Sequence, residues 1–266
     1  MKMTRRTFAA TVAASAAMSQ DILTLPPPKP DARIPYGDDP NQFGELRIPA
    51  GKGPHPVVIF IHGGYWRAMY DLTHAGHLCA ALTSTGFATW SLEYRRVGQP
   101  GGGWPGTMED VRKGALHVQK LSKAHRLDLK HTVLAGHSAG GQLALWLAAQ
   151  HALPLRAVVP LAAVSDLRRA ASLNLGNGIV AQYLGGTPEQ VPDRYASSSP
   201  MQLLPISITQ RVLHGTKDDV VPFEMSHQFA QASRNAKLVP IEGAGHFDLI
   251  DPRSAAWPIV LRNMTL

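Results

Sequence analysis

Short apolar runs alternate with longer mixed stretches along most of the chain. Val57-Val58-Ile59-Phe60-Ile61 has no polar interruption and is rich in β-branched side chains, which suits a strand buried on both faces. Similar runs predict strands near 44–49, 56–62, 87–94, 131–136, 156–161, 209–214 and 237–241. Helices are predicted near 71–85, 107–126, 138–151, 223–234 and 252–264, among them the apolar stretch Leu78-Cys79-Ala80-Ala81-Leu82. Strand–helix alternation requires crossovers, hence an α/β fold with a mostly parallel central sheet and helices on both faces. The stretch 166–204 breaks the rhythm with Leu173-Asn174-Leu175-Gly176-Asn177-Gly178 and Gly185-Gly186-Thr187-Pro188. It falls between two core strands and is expected to be a short lid or cap insertion that shapes a pocket. Gly101-Gly102-Gly103-Trp104-Pro105-Gly106 has little capacity for helix or strand. It follows a strand end at Glu93 and is expected to rim the same face.

Candidate chemistry concentrates where predicted strands end. Gly136-His137-Ser138-Ala139-Gly140 follows the run Thr132-Val133-Leu134-Ala135 and opens the helical run Gln142 to Ala149. A serine between glycines at a strand-to-helix turn is the G-x-S-x-G nucleophile elbow. The turn is tight enough that side chains at 136 and 140 are expected to collide with backbone. The helix N-terminus offers free N–H groups to a developing anion. A serine nucleophile needs a base, and the base needs an orienting acid. Asp218 stands past the strand Arg211-Val212-Leu213-His214, and His246 sits in the glycine-flanked loop Gly243-Ala244-Gly245-His246-Phe247. Asp219 is a rival acid, and Asp248 is too near His246 in sequence to orient it. His62 and His214 lie at strand ends and are expected to brace loops, as is Arg95. His137 is expected to pack or hydrogen-bond beside the site. His74 and His77 stand three apart on a predicted helix without a carboxylate or thiolate at ligand spacing, so no metal site is expected there.

With His62-Gly63-Gly64-Tyr65-Trp66, the elbow at Ser138, His214-Gly215-x-x-Asp218-x-x-Val221-Pro222 and Gly245-His246 in this order, the chain resembles serine esterases of the α/β-hydrolase superfamily. Within it, the chain is similar to the feruloyl/acetylxylan-esterase-like and kynurenine-formamidase-like branch. The resemblance covers roughly residues 43 to 262. It implies a triad of Ser138, Asp218 and His246, the spacing from His214 favouring Asp218 over Asp219. It also implies an oxyanion hole from the backbone of Gly64, Tyr65 and Ala139, without a cofactor. The third position of the related H-G-G-G string is Tyr65 here, which keeps the backbone donor but adds a ring. Trp66 and Trp104 are expected to line the substrate pocket. The expected reaction is carboxylic ester cleavage through an acyl-enzyme, on a small-molecule or carbohydrate-linked ester. Two alternatives stay open: an amide-type hydrolase, such as an aryl formamidase or small peptidase, on the same triad, and a non-catalytic binding protein on a hydrolase fold.

Composition narrows the remaining classes. The 266 residues are 44% hydrophobic, enough for one full α/β core. No apolar run approaches the ~20 residues of a membrane span. The formal charge is +7, of which Lys2, Arg5 and Arg6 supply three, leaving +4 beyond position 20. No basic stripe interleaved with aromatics accompanies it, so no nucleic-acid partner is expected. Arg5-Arg6-Thr7-Phe8 before an alanine-rich stretch reads as a twin-arginine export signal over 1–20, implying a periplasmic or extracellular protein. Residues 21–42, with Pro26-Pro27-Pro28, read as a proline-rich linker before a domain at 43–266. The lone Cys79 cannot form an internal disulfide and is expected to pack in the core.

Overall fold

The structure, a computed structural model, describes residues 22–265. The twin-arginine segment 1–20 therefore lies outside the described residues. Eight strands form one sheet: β1 (Ala32–Pro35), β2 (Phe43–Arg47), β3 (His55–Ile61), β4 (Ala88–Leu92), β5 (Leu127–His137), β6 (Ala157–Leu161), β7 (Gln210–Gly215) and β8 (Ala236–Ile241). Their order is β1-β2-β4-β3-β5-β6-β7-β8. β1 and β2, and β2 and β4, pair antiparallel, and every other neighbouring pair is parallel. Ile59 of β3 stands between Trp90 and Leu134, and Val57 to Ile61 are fully buried, as an uninterrupted apolar run requires. The helices are α1 (Gly76–Ser84), α2 (Gly106–Leu116), α3 (Val118–His125), α4 (Ala139–Ala149), α5 (Leu167–Ser172), α6 (Ile179–Leu184), α7 (Pro192–Ser198), α8 (Phe223–Ala232) and α9 (Trp257–Met264).

Apolar side chains on the two faces of the sheet form two clusters. One holds Ile59, Trp90, Leu143 and Phe229; the other holds Val58, Phe60, Leu78, Cys79 and Val260. Cys79 packs there as expected, and burial pushes its thiol up to about 11. α4 is buried along nearly its whole length, because β5 and β6 flank it and Trp66 and α2 cover it.

The sheet reverses its winding direction at β3. From β4 the chain crosses β3 to build β5 on its far side, so the loops after β3 and β5 leave adjacent strands. A crevice at the carboxyl ends of such strands is where open α/β sheets place their ligand sites. β7 and β8 end at the same edge and add two more loops.

Two boundaries need correction. The segment 21–42 is only partly a linker. Ala32–Pro35 is an edge strand of the sheet, too short for its alternation to be read from sequence, and it tolerates proline because an edge needs fewer N–H donors. Upstream of it, Ile22 is buried against the second cluster. The helix expected over 107–126 is interrupted at His117, giving α2 and α3.

Candidate active site

The elbow is built by backbone crowding. Ser138 follows β5 directly and takes φ 56°, ψ −119°, a conformation that costs a non-glycine residue on the order of 1–3 kcal/mol. Its N–H donates to Leu161 O at 2.8 Å, and its carbonyl accepts from Gly141 N at 3.0 Å and Gln142 N at 3.2 Å. Packing holds the strain in place. A Cβ on Gly136 would strike the Gly140 carbonyl, and a Cβ on Gly140 would strike the carbonyl oxygens of Ile61 and His62. Gly136 is thus required by the tightness of the elbow itself, and Gly140 by the close approach of the end of β3.

The loop after β3 is fixed from behind. His62 Nε2 lies 3.0 Å from Glu93 Oε1, its ring stacks on Tyr94 at 4.4 Å, and the Tyr94 hydroxyl donates to His62 O at 2.8 Å. His62 braces the loop, as expected. Gly64 (φ 105°), Tyr65 (φ 51°) and Trp66 (φ 54°) then reverse the chain. Among the described residues, the backbone N–H groups of Gly64, Tyr65 and Ala139 have no acceptor. The three candidate oxyanion-hole donors are therefore free to receive one. Tyr65 turns toward the crevice, and its hydroxyl donates to Val220 O at 3.1 Å. Burial, then the nearby Asp218 charge, raises the pKa of that hydroxyl.

Asp218 and His246 meet at the far end. His246 Nδ1 lies 2.7 Å from Asp218 Oδ2. Asp218 is held on several sides. His214 Nε2 is 3.1 Å away, and the N–H groups of Val220 and Val221 donate to Oδ1 at 2.9 and 2.8 Å. Burial alone would raise this carboxyl's pKa. The hydrogen bonds from His214 and His246 outweigh burial and, with the His246 charge and the Val221 N–H, hold the group well below the usual carboxylate range. Asp219 is exposed, and Asp248 accepts from Gly245 N at 2.7 Å, shaping the histidine loop from within. With Nδ1 committed to Asp218, Nε2 is the His246 nitrogen left for chemistry. His137 steadies that loop. Its Nε2 donates to the His246 carbonyl at 3.0 Å, and the two rings sit 4.4 Å apart.

Ser138 and His246 line one cavity of about 230 Å³, together with Leu23, Gly64, Tyr65, Tyr70, His74, His137, Val220 and Phe247. Three expectations are corrected here. Trp66 does not line it: the ring is fully buried, stacked on Tyr183 at 4.5 Å, and Nε1 donates to Gln142 Oε1 at 3.1 Å. Successive left-handed residues at 65 and 66 send one ring into the crevice and the next into the core. Trp104 is also absent from the cavity; its backbone N–H donates to Tyr183 O at 2.7 Å and its ring lies under the Arg194 guanidinium. The insertion 166–204 contributes no cavity-lining residue among those described. It is anchored through Tyr183 and reaches the site only from behind, where the Gly176 carbonyl accepts from Arg67 and its Cα lies against the Tyr65 ring. Leu23 and His74 were missed as site residues, because nothing in their local sequence marks the crevice that tertiary packing brings to them. His74 and His77 also diverge, His77 Nε2 facing the Leu25 carbonyl at 3.4 Å. Arg95, by contrast, ties loops together as expected, through Asp110.

This sheet order, with an elbow serine after β5, an acid after β7 and a histidine after β8, defines an α/β-hydrolase. Residues 46–232 match the BD-FAE family, and the chain belongs to that family. Among curated relatives, it is 27% identical to Esterase LipC of Mycobacterium tuberculosis over 247 residues, covering 82% of this chain and 60% of that protein. It is 28% identical over 239 residues to a probable isoprenylcysteine alpha-carbonyl methylesterase, ICME, of Oryza sativa subsp. japonica, covering 80% and 57%. The chain thus spans less than two thirds of the length of these relatives. Among solved structures, a truncated carbohydrate esterase from gut microbiota superposes with a TM-score of 0.75 at 20% identity, covering 88% of this chain and 92% of that one. An inhibited esterase B from Lactobacillus rhamnosis gives 0.77 at 19% identity, covering 96% and 92%. Likeness at these identities concerns the fold. Among the described residues, no helix is long and apolar enough to cross a membrane.

Proposed function

We propose that this protein is a serine hydrolase of carboxylic esters and that Ser138, His246 and Asp218 carry the reaction. The observation that supports it most is the strained Ser138 sharing one cavity with a histidine whose other nitrogen is bonded to a buried, ionised carboxylate. In this reading His246 Nε2 takes the Ser138 proton as Oγ attacks the ester carbonyl carbon. Asp218 holds the ring and stabilises the imidazolium that forms. The carbonyl oxygen becomes an anion and receives the free N–H groups of Gly64, Tyr65 and Ala139, each such donor worth ~3 kcal/mol where one has been removed from another enzyme. The tetrahedral intermediate collapses, the ester C–O bond breaks, and the alcohol leaves with the proton from His246. Water then attacks the acyl-enzyme by the same route, releasing the acid and restoring Ser138. The esterase names of the relatives support the same reaction class. The cavity is small and mostly apolar, which suits a compact, uncharged ester.

Turnover of p-nitrophenyl acetate and labelling by a fluorophosphonate probe test this. Ser138→Ala should abolish labelling and lower kcat by at least ~10³-fold, the scale set by removing a triad member. A variant that turns over the ester at the parent's rate would refute the assignment. Export by the twin-arginine route belongs to the same proposal and rests on Arg5-Arg6 and Phe8. Replacing both arginines by lysine should retain the full-length protein in the cytoplasm; undiminished export would remove that part.

A further inference from the structure

The cavity wall holds a polar side chain, His74, that the reaction above does not use. His74 belongs to the 3₁₀ turn Leu72–Ala75 that leads into α1, and Asp71 caps that turn by accepting from Thr73 N at 2.8 Å. The histidine is only 7% exposed, and what remains accessible lies in the wall of the cavity. Among the described residues, neither of its ring nitrogens makes a hydrogen bond. The His62 ring stands perpendicular to the His74 ring, centroids 5.8 Å apart, and His62 is itself committed to Glu93 and to the Gly63 carbonyl. Of the other rings of the site, His246 is committed to Asp218, and His137 donates Nε2 to the His246 carbonyl while its unpartnered Nδ1 is buried away from the cavity. The remaining wall is dominated by Leu23, Tyr65, Tyr70, Val220 and Phe247. Polar groups screened from bulk solvent are nearly always paired in native structures, and the His74 nitrogens, without a protein partner, depend on what fills the cavity. An imidazole kept in such a wall is therefore open to whatever enters the cavity.

We propose that His74 is a specificity-determining residue that hydrogen-bonds an uncharged polar group of the substrate, a hydroxyl or carbonyl oxygen a few bonds from the scissile carbonyl. This rests on the esterase reading of the same cavity. Burial keeps the ring neutral, with a pKa lowered to about 3. A neutral imidazole presents one N–H and one lone pair, so it can serve a hydroxyl in either direction. It lacks the charge that would select a carboxylate. The site therefore favours hydroxylated or oxo-bearing compact esters over plain alkyl esters of equal length.

Two matched pairs test this. 2-Hydroxyethyl acetate against propyl acetate probes the alcohol side, and p-nitrophenyl 3-hydroxybutyrate against p-nitrophenyl butyrate probes the acyl side. The parent should favour the hydroxylated member in one pair. His74→Leu should lower that preference, as a ratio of kcat/KM values, by about tenfold, the effect of one lost hydrogen bond. His74→Gln, which keeps a donor and an acceptor, should hold the ratio within about threefold of the parent. The pair that responds assigns the subsite. A ratio unchanged in His74→Leu for both pairs overturns the proposal, and so does a glutamine variant that falls as far as the leucine variant. If the leucine variant does not fold, the ring nitrogen resonances of His74 are followed in Ser138→Ala protein. They should move with the hydroxylated ester and not with its plain partner; no difference overturns the proposal. A parent protein that cleaves none of the four esters defeats the esterase reading and this one with it, whereas cleavage with indifferent ratios defeats this one alone.

Discussion

The N-terminal arm and the insertion at 166–204 hold opposite positions from those their sequences suggest. The insertion sits between two core strands at the carboxyl edge of the sheet, yet it supplies none of the cavity wall described. The arm precedes the first strand, is rich in proline, and places Leu23 in that wall. Anchoring explains the difference. The insertion is bolted to the core by Tyr183, which stacks on Trp66, and by the buried Tyr195. These contacts draw it behind the loop after β3. The arm is fastened at the opposite side: Ile22 enters the second apolar cluster, Pro27 lies against Gly76, and the Pro28 carbonyl accepts from Arg47 at 3.0 Å. Its path runs over the helix that follows His74, so arm and imidazole form one flank of the cavity. Nearness along the chain to the strands that carry the candidate site does not select which segment covers it; the segment with the buried anchor on that side does.

The contrast can be broken most forcefully at its bolt. Trp66→Ala removes the ring on which Tyr183 stacks and the hydrogen bond to Gln142. Urea unfolding should show a loss of about 3–5 kcal/mol, typical of a fully buried large aromatic. A loss under ~1 kcal/mol would mean that the insertion holds itself in place.

A second test sits on the arm's flank and uses pH. The folded pKa of His74 is lowered to about 3 from an ordinary 6.5, by burial first and then by the neighbouring His62. Above 6.5 the ring is neutral in both folded and unfolded chains. Between 6.5 and about 3 only the unfolded chain binds the proton, so stability falls as pH falls through that window. His74→Leu should lose less stability than the parent between pH 7 and pH 4, by on the order of 2–3 kcal/mol. Parallel stability–pH curves for the two proteins would show that this imidazole is not buried in solution.

The smallest effect is the most discriminating. Leu23→Ala should lower kcat/KM for short p-nitrophenyl esters by roughly three- to tenfold, the effect of a few methylenes in an apolar pocket. Leu173→Ala, on an exposed part of the insertion, should leave it unchanged. If the insertion variant were the impaired one, the roles assigned to the two segments would be exchanged.

Much of the fold was legible because it rests on local signals. β3, β4, β6, β7 and β8 lie within a few residues of their expected positions, since uninterrupted apolar runs between breakers admit few readings. The start of β5 was hidden because Asp128, Lys130 and His131 interrupt its pattern where β3 and β5 are irregularly paired. The spacing from His214, through the family resemblance, favours Asp218 over its neighbour as the candidate acid, and in the structure the Asp218 side chain is buried against His246 while Asp219 faces solvent. The pocket wall was not legible. Trp66 and Trp104 are large aromatics near the glycine-rich loops, but which way a ring points after a left-handed residue depends on what is packed behind it.

By itself the sequence determined the order of the central strands and their flanking helices, the strained serine turn and the candidate acid and histidine that follow it. Each of those is written in a few adjacent residues whose backbone options are narrow. Only the tertiary structure decided what lines the cavity, because Leu23 and His74 reach it through anchors at Ile22 and Gly76 that no local pattern connects to Ser138. Side-chain direction at a crevice is set by long-range packing, and a linear pattern carries period, not direction.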